Sequence, residues 1–195
     1  MVLLVSVRSG IVHAASQEGA PVHAHKTPGA ICQQCMQEFI TPNANHDLLK
    51  SLEGSWNAAI AFRTTAQTPI SATQATVEAH MILGGRYLER ILKGRADNFE
   101  ARIVSGHDNF RGEYTSIWFD NMCTGMITGA GHYDPTTKTI TEEGSMSCPM
   151  TDQDRRWFRS TTRIIDEDHY VFEMFKRDEE GEEFSAMTIE YARVK

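Results

Sequence analysis

Apolar and polar positions alternate through most of this chain. Trp56, Ala58, Ile60 and Phe62 share one side of an extended stretch, against Asn57, Ala59, Ala61 and Arg63. Ala75, Val77, Ala79 and Met81 do the same against Gln74, Thr76, Glu78 and His80. Near the end, Met187, Ile189 and Tyr191 oppose Thr188, Glu190 and Ala192. A period of two is the mark of a half-buried strand. Runs of this kind predict strands over 55–65, 70–82, 86–93, 98–107, 113–120, 123–133, 138–148, 157–166, 169–177 and 183–194. Gly84-Gly85, Asp108-Asn109, Asp134-Pro135, Asp166-Glu167-Asp168 and Glu179-Glu180-Gly181 supply turns. No connection is long enough for a crossover helix, so neighbours should run antiparallel. The fold class expected is all-β: an antiparallel up-and-down barrel of about ten strands, closed so that no edge is exposed.

One strand resists this sorting. Leu88, Arg90 and Leu92 lie on one face of 86–93, and Tyr87, Glu89 and Ile91 on the other. Either choice buries a charge among apolar neighbours, which demands a partner, water or a ligand.

Residues 1–45 break the alternation and hold three of the six prolines. They are expected to form a leader, and 46–195 the barrel domain. A short helix is predicted over His46–Glu53, with Asn45 as its N-cap and Gly54 ending it. The apolar Val2–Val7 stretch and Val12-His13-Ala14 resemble parts of an export signal, although Arg8 interrupts them and no basic segment comes first. The expectation is a periplasmic or secreted protein, with a cytoplasmic one as the alternative. His23, His25, Cys32 and Cys35 could together hold a metal, but their spacing matches no common zinc module.

A hairpin centred on Asp134–Thr137 would place Cys123 directly opposite Cys148, within reach of a disulfide. One bulge would break that register and leave two separate cysteines.

Gly54-Ser55-Trp56 resembles the opening of lipocalin-type barrels, in which the Trp closes one end and a basic residue of the last strand, here Arg193, packs over it. The succession Gly84-Gly85-Arg86-Tyr87-Leu88, Phe99, Gly106-His107-Asp108, Tyr114, Trp118-Phe119-Asp120 and Gly129 to Asp134 resembles the lipocalin-like (calycin) bacterial family called domain of unknown function 1579. That pattern usually carries an aromatic, most often Tyr, where this chain has His107, and ordinarily lacks the Cys123 and Cys148 pair. The resemblance implies the barrel over 46–195 and no particular reaction.

The candidate binding residues are Arg86, Tyr87, Arg90, Tyr114, Trp118 and His132, polar and aromatic groups suited to a small hydrophobic or amphipathic molecule in the barrel interior. For each of them, ordinary packing or a solvated rim is the competing role. Trp56, Arg193, Cys123 and Cys148 are structural candidates. An alternative is an enzyme of cyclase or isomerase type with His132 or Tyr114 as acid or base; both nearby Asp residues, Asp108 and Asp134, are adequately explained as turn formers. G-x-S-x-G, P-loop, H-E-x-x-H and G-x-G-x-x-G motifs are missing from the sequence, and no cofactor is implied. With 26 acidic against 19 basic residues and a net charge of −7, a basic face for nucleic acid is not expected. No apolar run approaches the roughly 20 residues of a membrane-spanning helix. The oligomeric state is open.

Overall fold

The computed structural model describes residues 33–96, 98–148 and 153–195. Ten strands run in sequence: β1 Gly54–Phe62, β2 Ser71–Ile82, β3 Tyr87–Gly94, β4 Glu100–Asp108, β5 Glu113–Asp120, β6 Ile127–Asp134, β7 Thr139–Cys148, β8 Gln153–Ile164, β9 His169–Arg177 and β10 Glu183–Arg193. Each pairs antiparallel with its sequence neighbours, and β1 pairs with β10 to close the barrel. No helix among the described residues is long and apolar enough to cross a membrane.

The alternation read from the sequence sets the two faces. Trp56, Ala58 and Ile60 of β1 and Ala75, Val77 and Ala79 of β2 are buried. Leu88, Arg90 and Leu92 of β3 are buried as well, so the ambiguous strand turns its arginine inward. Closure decides this: Arg90 faces Ala79 across β2 and Ile103 across β4, both interior residues.

Strand connections alternate between two ends. One end is covered by helix α2, Ala44–Lys50, which packs on β2, β3 and β4. The N-terminal helical region differs from the expectation. It contains two short helices, α1 Gln33–Ile40 and α2, instead of one over 46–53. Asn43, not Asn45, caps α2: its side chain accepts from the Asn45 N–H, and His46 Nδ1 accepts from the Asn43 N–H. The segment 33–45, read as leader, is tied to the barrel. Asn109 Nδ2 donates to the Glu38 and Thr41 carbonyls, and an Arg86 amine donates to the Ile40 carbonyl at 2.6 Å. The export expectation, and the His23, His25 and Cys32 part of the leader metal set, lie outside the described residues.

Gly54 starts β1 and does not cap the helix. Its φ is +121°, and a Cβ there would meet the Arg193 guanidinium at 2.6 Å. That vacancy lets Arg193 lie over Trp56, 4.0 Å from the ring centre. Trp56 Nε1 donates to the Leu52 carbonyl at 3.0 Å.

The β6–β7 hairpin corrects the cysteine geometry. Asp134 pairs with Thr139 and Thr128 with Ser145, two residues out of the expected register. Lys138 takes a left-handed φ of 52° and joins the turn, while the Asp134 carboxylate accepts from the Thr136 N–H and the Thr137 hydroxyl. β6 also begins at Ile127, later than expected. Cys123 sits in the preceding loop, peeled from the ladder by Asp120 Oδ1, which accepts from the Met122 and Cys123 N–H groups. Cys123 and Cys148 are therefore not cross-strand partners, and no disulfide joins them.

Candidate functional site

The barrel interior holds a polar cluster surrounded by apolar wall. Arg90 enters from β3, Ser105 from β4, Ser116 from β5, Glu142 from β7, Ser160 and Thr162 from β8 and Tyr170 from β9. All but Ser116 are buried. One Arg90 amine donates to Ser105 Oγ at 2.8 Å, while Arg90 Nε has no hydrogen-bond partner among the described residues. The buried Tyr170 hydroxyl makes no well-formed hydrogen bond either, although it lies close enough to Arg90 for the guanidinium to act on it as a donor. Its ring is fixed by stacking on Tyr191, with centres 4.1 Å apart, and by an edge contact with Trp56 at 4.8 Å. Burial pushes this phenol far above its ordinary range; Tyr191 adds to the push, and the nearby Arg90 charge opposes it.

Glu142 accepts from Ser116 Oγ at 3.0 Å. Burial raises its pKa, and neither the Ser116 bond nor the Arg90 charge cancels the effect. Among the described residues no carboxylate forms an ion pair with Arg90. The interior thus presents a guanidinium lacking a counter-ion, a phenol O–H and a carboxyl group biased toward its protonated form. Arg90 is the donor among them that borders the chamber, inside a low-dielectric wall where an unmatched donor is costly.

A cavity of about 40 Å³ runs beside this cluster, bounded by Arg90, Glu142, Trp118, Phe158, Met174 and Tyr191. A roomy hollow was expected, and the space is narrow because aromatic and branched side chains fill most of the barrel. It exceeds what one water needs and suits a few-atom polar head. Backbones also crowd here. A Cβ on Gly144 would meet Phe158 Cζ at 2.8 Å, so the glycine lets that ring approach the β7 backbone.

Of the six candidate binding residues, Arg90 and Trp118 border the cavity. Trp118 Nε1 donates to Asp120 Oδ2 at 2.9 Å. Tyr114 points inward but belongs to the covered end: its hydroxyl lies 3.1 Å from Asn45 Oδ1, and its ring contacts His107 at 4.8 Å. Burial, with Tyr133 adding to it, pushes the Tyr114 phenol up to about 12. His107 in turn contacts His46, whose pKa is lowered by burial and by His107. Arg86 is a turn residue holding α1. Tyr87 lies outside the barrel against Gly106, and exposed His132 contacts the Gly112 carbonyl. Glu142 and Tyr170 were not singled out from the sequence. Glu142 had a usable signal, since alternation from the apolar Ile140 brings it to the inner face.

Fold and interior together define a closed, ten-stranded up-and-down β-barrel with a small polar chamber. Within that class the chain belongs to the family described as "Protein of unknown function (DUF1579)", whose profile matches residues 41–193. The fold is similar to that in the "Crystal Structure of Rv2717c from M. tuberculosis", with a TM-score of 0.58, 16% identity, and coverage of 80% of this chain and 100% of that one. A DUF3598-family protein of unknown function from Nostoc punctiforme aligns with a TM-score of 0.37 and 13% identity, over 75% of this chain and 48% of that one. No curated protein matches the sequence.

Proposed function

We propose that the barrel binds a small amphipathic molecule by its acceptor-bearing head, a carboxylate being the best fit. The observation that carries this is the buried Arg90, which borders the chamber with no carboxylate in ion pair and leaves its Nε without a hydrogen-bond partner among the described residues. A buried cation without a counter-ion is costly, and an anionic head relieves that cost directly. Glu142, whose pKa burial raises, borders the same chamber. The apolar remainder of the ligand would run toward the uncovered end, past Ile127, Phe158 and Met174. The 40 Å³ chamber limits the inserted head to a few atoms.

Straight-chain carboxylates from acetate to decanoate, each paired with its primary amide, provide the test in a thermal-shift assay. Carboxylates should raise the melting temperature more than amides, and Arg90→Met should abolish the difference. Equal shifts in both series, or an undiminished carboxylate effect in Arg90→Met, would refute the proposal. Export to the periplasm or the medium belongs to the same reading, supported by the Val2–Val7 and Val12-His13-Ala14 pattern. Fractionation of native cells checks it, since recovery from the cytoplasm would exclude export.

The enzyme alternative has less support. His132 faces outward and Tyr114 is engaged with Asn45, so these two do not converge on the chamber.

A further inference from the structure

The end of the barrel opposite α2 carries a groove rich in sulfur. Met122, Cys123 and Met126 from the β5–β6 loop meet Met146 and Cys148 from the end of β7. Five of the chain's thirteen sulfur side chains, three of nine Met and two of four Cys, border this one groove. Packing does not account for them. Met122 is 79% exposed and Met126 62%, so neither thioether earns its place by filling a core.

The loop that presents them is held in shape. Asp120 accepts from Trp118 Nε1 and from the backbone N–H groups of Met122 and Cys123. Burial alone would raise Asp120, but these bonds outweigh it and keep its carboxylate ionised below the usual range. Among the described residues no three His, Cys, Asp or Glu side chains gather as a metal centre. Five sulfurs gather here beside the Asp120 and Asp154 carboxylates, and a set in which thioethers join thiols suits monovalent copper rather than calcium or magnesium.

Charge around the groove fits the same chemistry. Arg156 Nη1 lies 3.6 Å from Cys148 Sγ. Lys176 is held below the ordinary lysine range by burial and by Arg156, while Cys148 opposes the shift. Positive charge thus crowds the Cys148 side of the groove, and the Asp120 and Asp154 carboxylates border it as well. Two thiolates around one monovalent cation carry a net charge of −1.

We propose that this groove binds one soft monovalent metal ion, copper(I), through the sulfurs of Cys123 and Cys148, with Met122, Met126 and Met146 supplying thioether donors. Binding replaces two S–H protons, which leave to solvent, and the metal keeps its oxidation state. Because each thiol gives up a proton on binding, uptake should strengthen as pH rises. The groove shares Ile127 with the lining of the Arg90 chamber, but none of its sulfur residues borders that chamber.

The full-length chain, reduced and under anaerobic conditions, is titrated with copper(I) in competition with bicinchoninate. One equivalent should leave the chelator, and X-ray absorption should show a sulfur-only shell. Cys32→Ser with Cys35→Ser should leave affinity unchanged, which separates this groove from the N-terminal cysteines. Cys123→Ser should weaken binding about 10- to 100-fold or more, and Met122→Leu with Met126→Leu by a similar or smaller factor. These three residues are exposed, so the variants should fold; circular dichroism confirms this. The proposal is overturned by no uptake, by a nitrogen or oxygen shell, by binding that disappears with the N-terminal cysteines, or by full affinity in Cys123→Ser.

Discussion

The covered end of the barrel and its interior treat polar groups in opposite ways. At the covered end each principal donor is matched. Arg193 lies over Trp56 and donates to the Ser51, Glu53 and Glu167 carbonyls. Trp56 donates to Leu52, and Tyr114 is engaged with Asn45. A few ångströms further in, Tyr170 touches Trp56 with its ring edge yet leaves its hydroxyl unmatched, and Arg90 leaves one N–H unmatched. One sequence has thus satisfied its donors where closure is the task and left them open around a chamber. The first arrangement lowers the free energy of the fold; the second costs free energy, and the proposed ligand head would relieve that cost.

Substitution at the covered end should therefore produce the largest loss of stability. Trp56→Ala removes the ring that Arg193 and Tyr170 both contact and leaves a cavity beneath α2. A loss of about 3–5 kcal/mol is expected by chemical denaturation. A loss below about 1 kcal/mol would erase the contrast, because the plug would then not carry the stability assigned to it.

Glu142 tests the interior through pH. Its pKa in the fold lies above the ordinary value of 4.5, chiefly through burial. Such a group adds stability below its unfolded pKa, where both states are protonated alike at no cost to the fold. That advantage is lost as pH rises through the folded pKa, because the buried carboxyl must then ionise. Glu142→Gln should consequently melt higher than the parent near neutral pH, by about 2–4 °C per kcal/mol relieved, with the gap closing below pH about 4.5. A Gln variant less stable at every pH would show that the carboxylate is a structural partner of Arg90.

The different legibility of the two regions has a physical basis. All ten strands could be read because an inner apolar face and turn residues recur every 10–15 residues, and closure follows from the short connections. The Gly54-Ser55-Trp56 opening likewise exposed the plug. The chamber was only half visible. Arg90 stood out as a charge among leucines, but either face of its strand was self-consistent until β2 and β4 were placed beside it. Tyr170 reads in sequence as one more strand aromatic, and only its lack of a hydroxyl partner distinguishes it. The Cys123 and Cys148 register failed on a backbone detail, the left-handed Lys138, which side-chain pattern does not encode.

Tyr170→Phe gives the smallest expected effect and the finest discrimination. The variant keeps the ring, its stacking on Tyr191 and its edge on Trp56, and removes only the hydroxyl. Deleting a buried donor that has no partner removes a desolvation penalty, so stability should hold or rise by about 1 kcal/mol. In the same variant the carboxylate-dependent thermal shift should shrink if the proposed head reaches the hydroxyl beside Arg90. Opposite signs for stability and binding are what a reserved donor requires. If both fall together, the hydroxyl is part of the scaffold, and the boundary between covered end and chamber must be drawn on the far side of Tyr170.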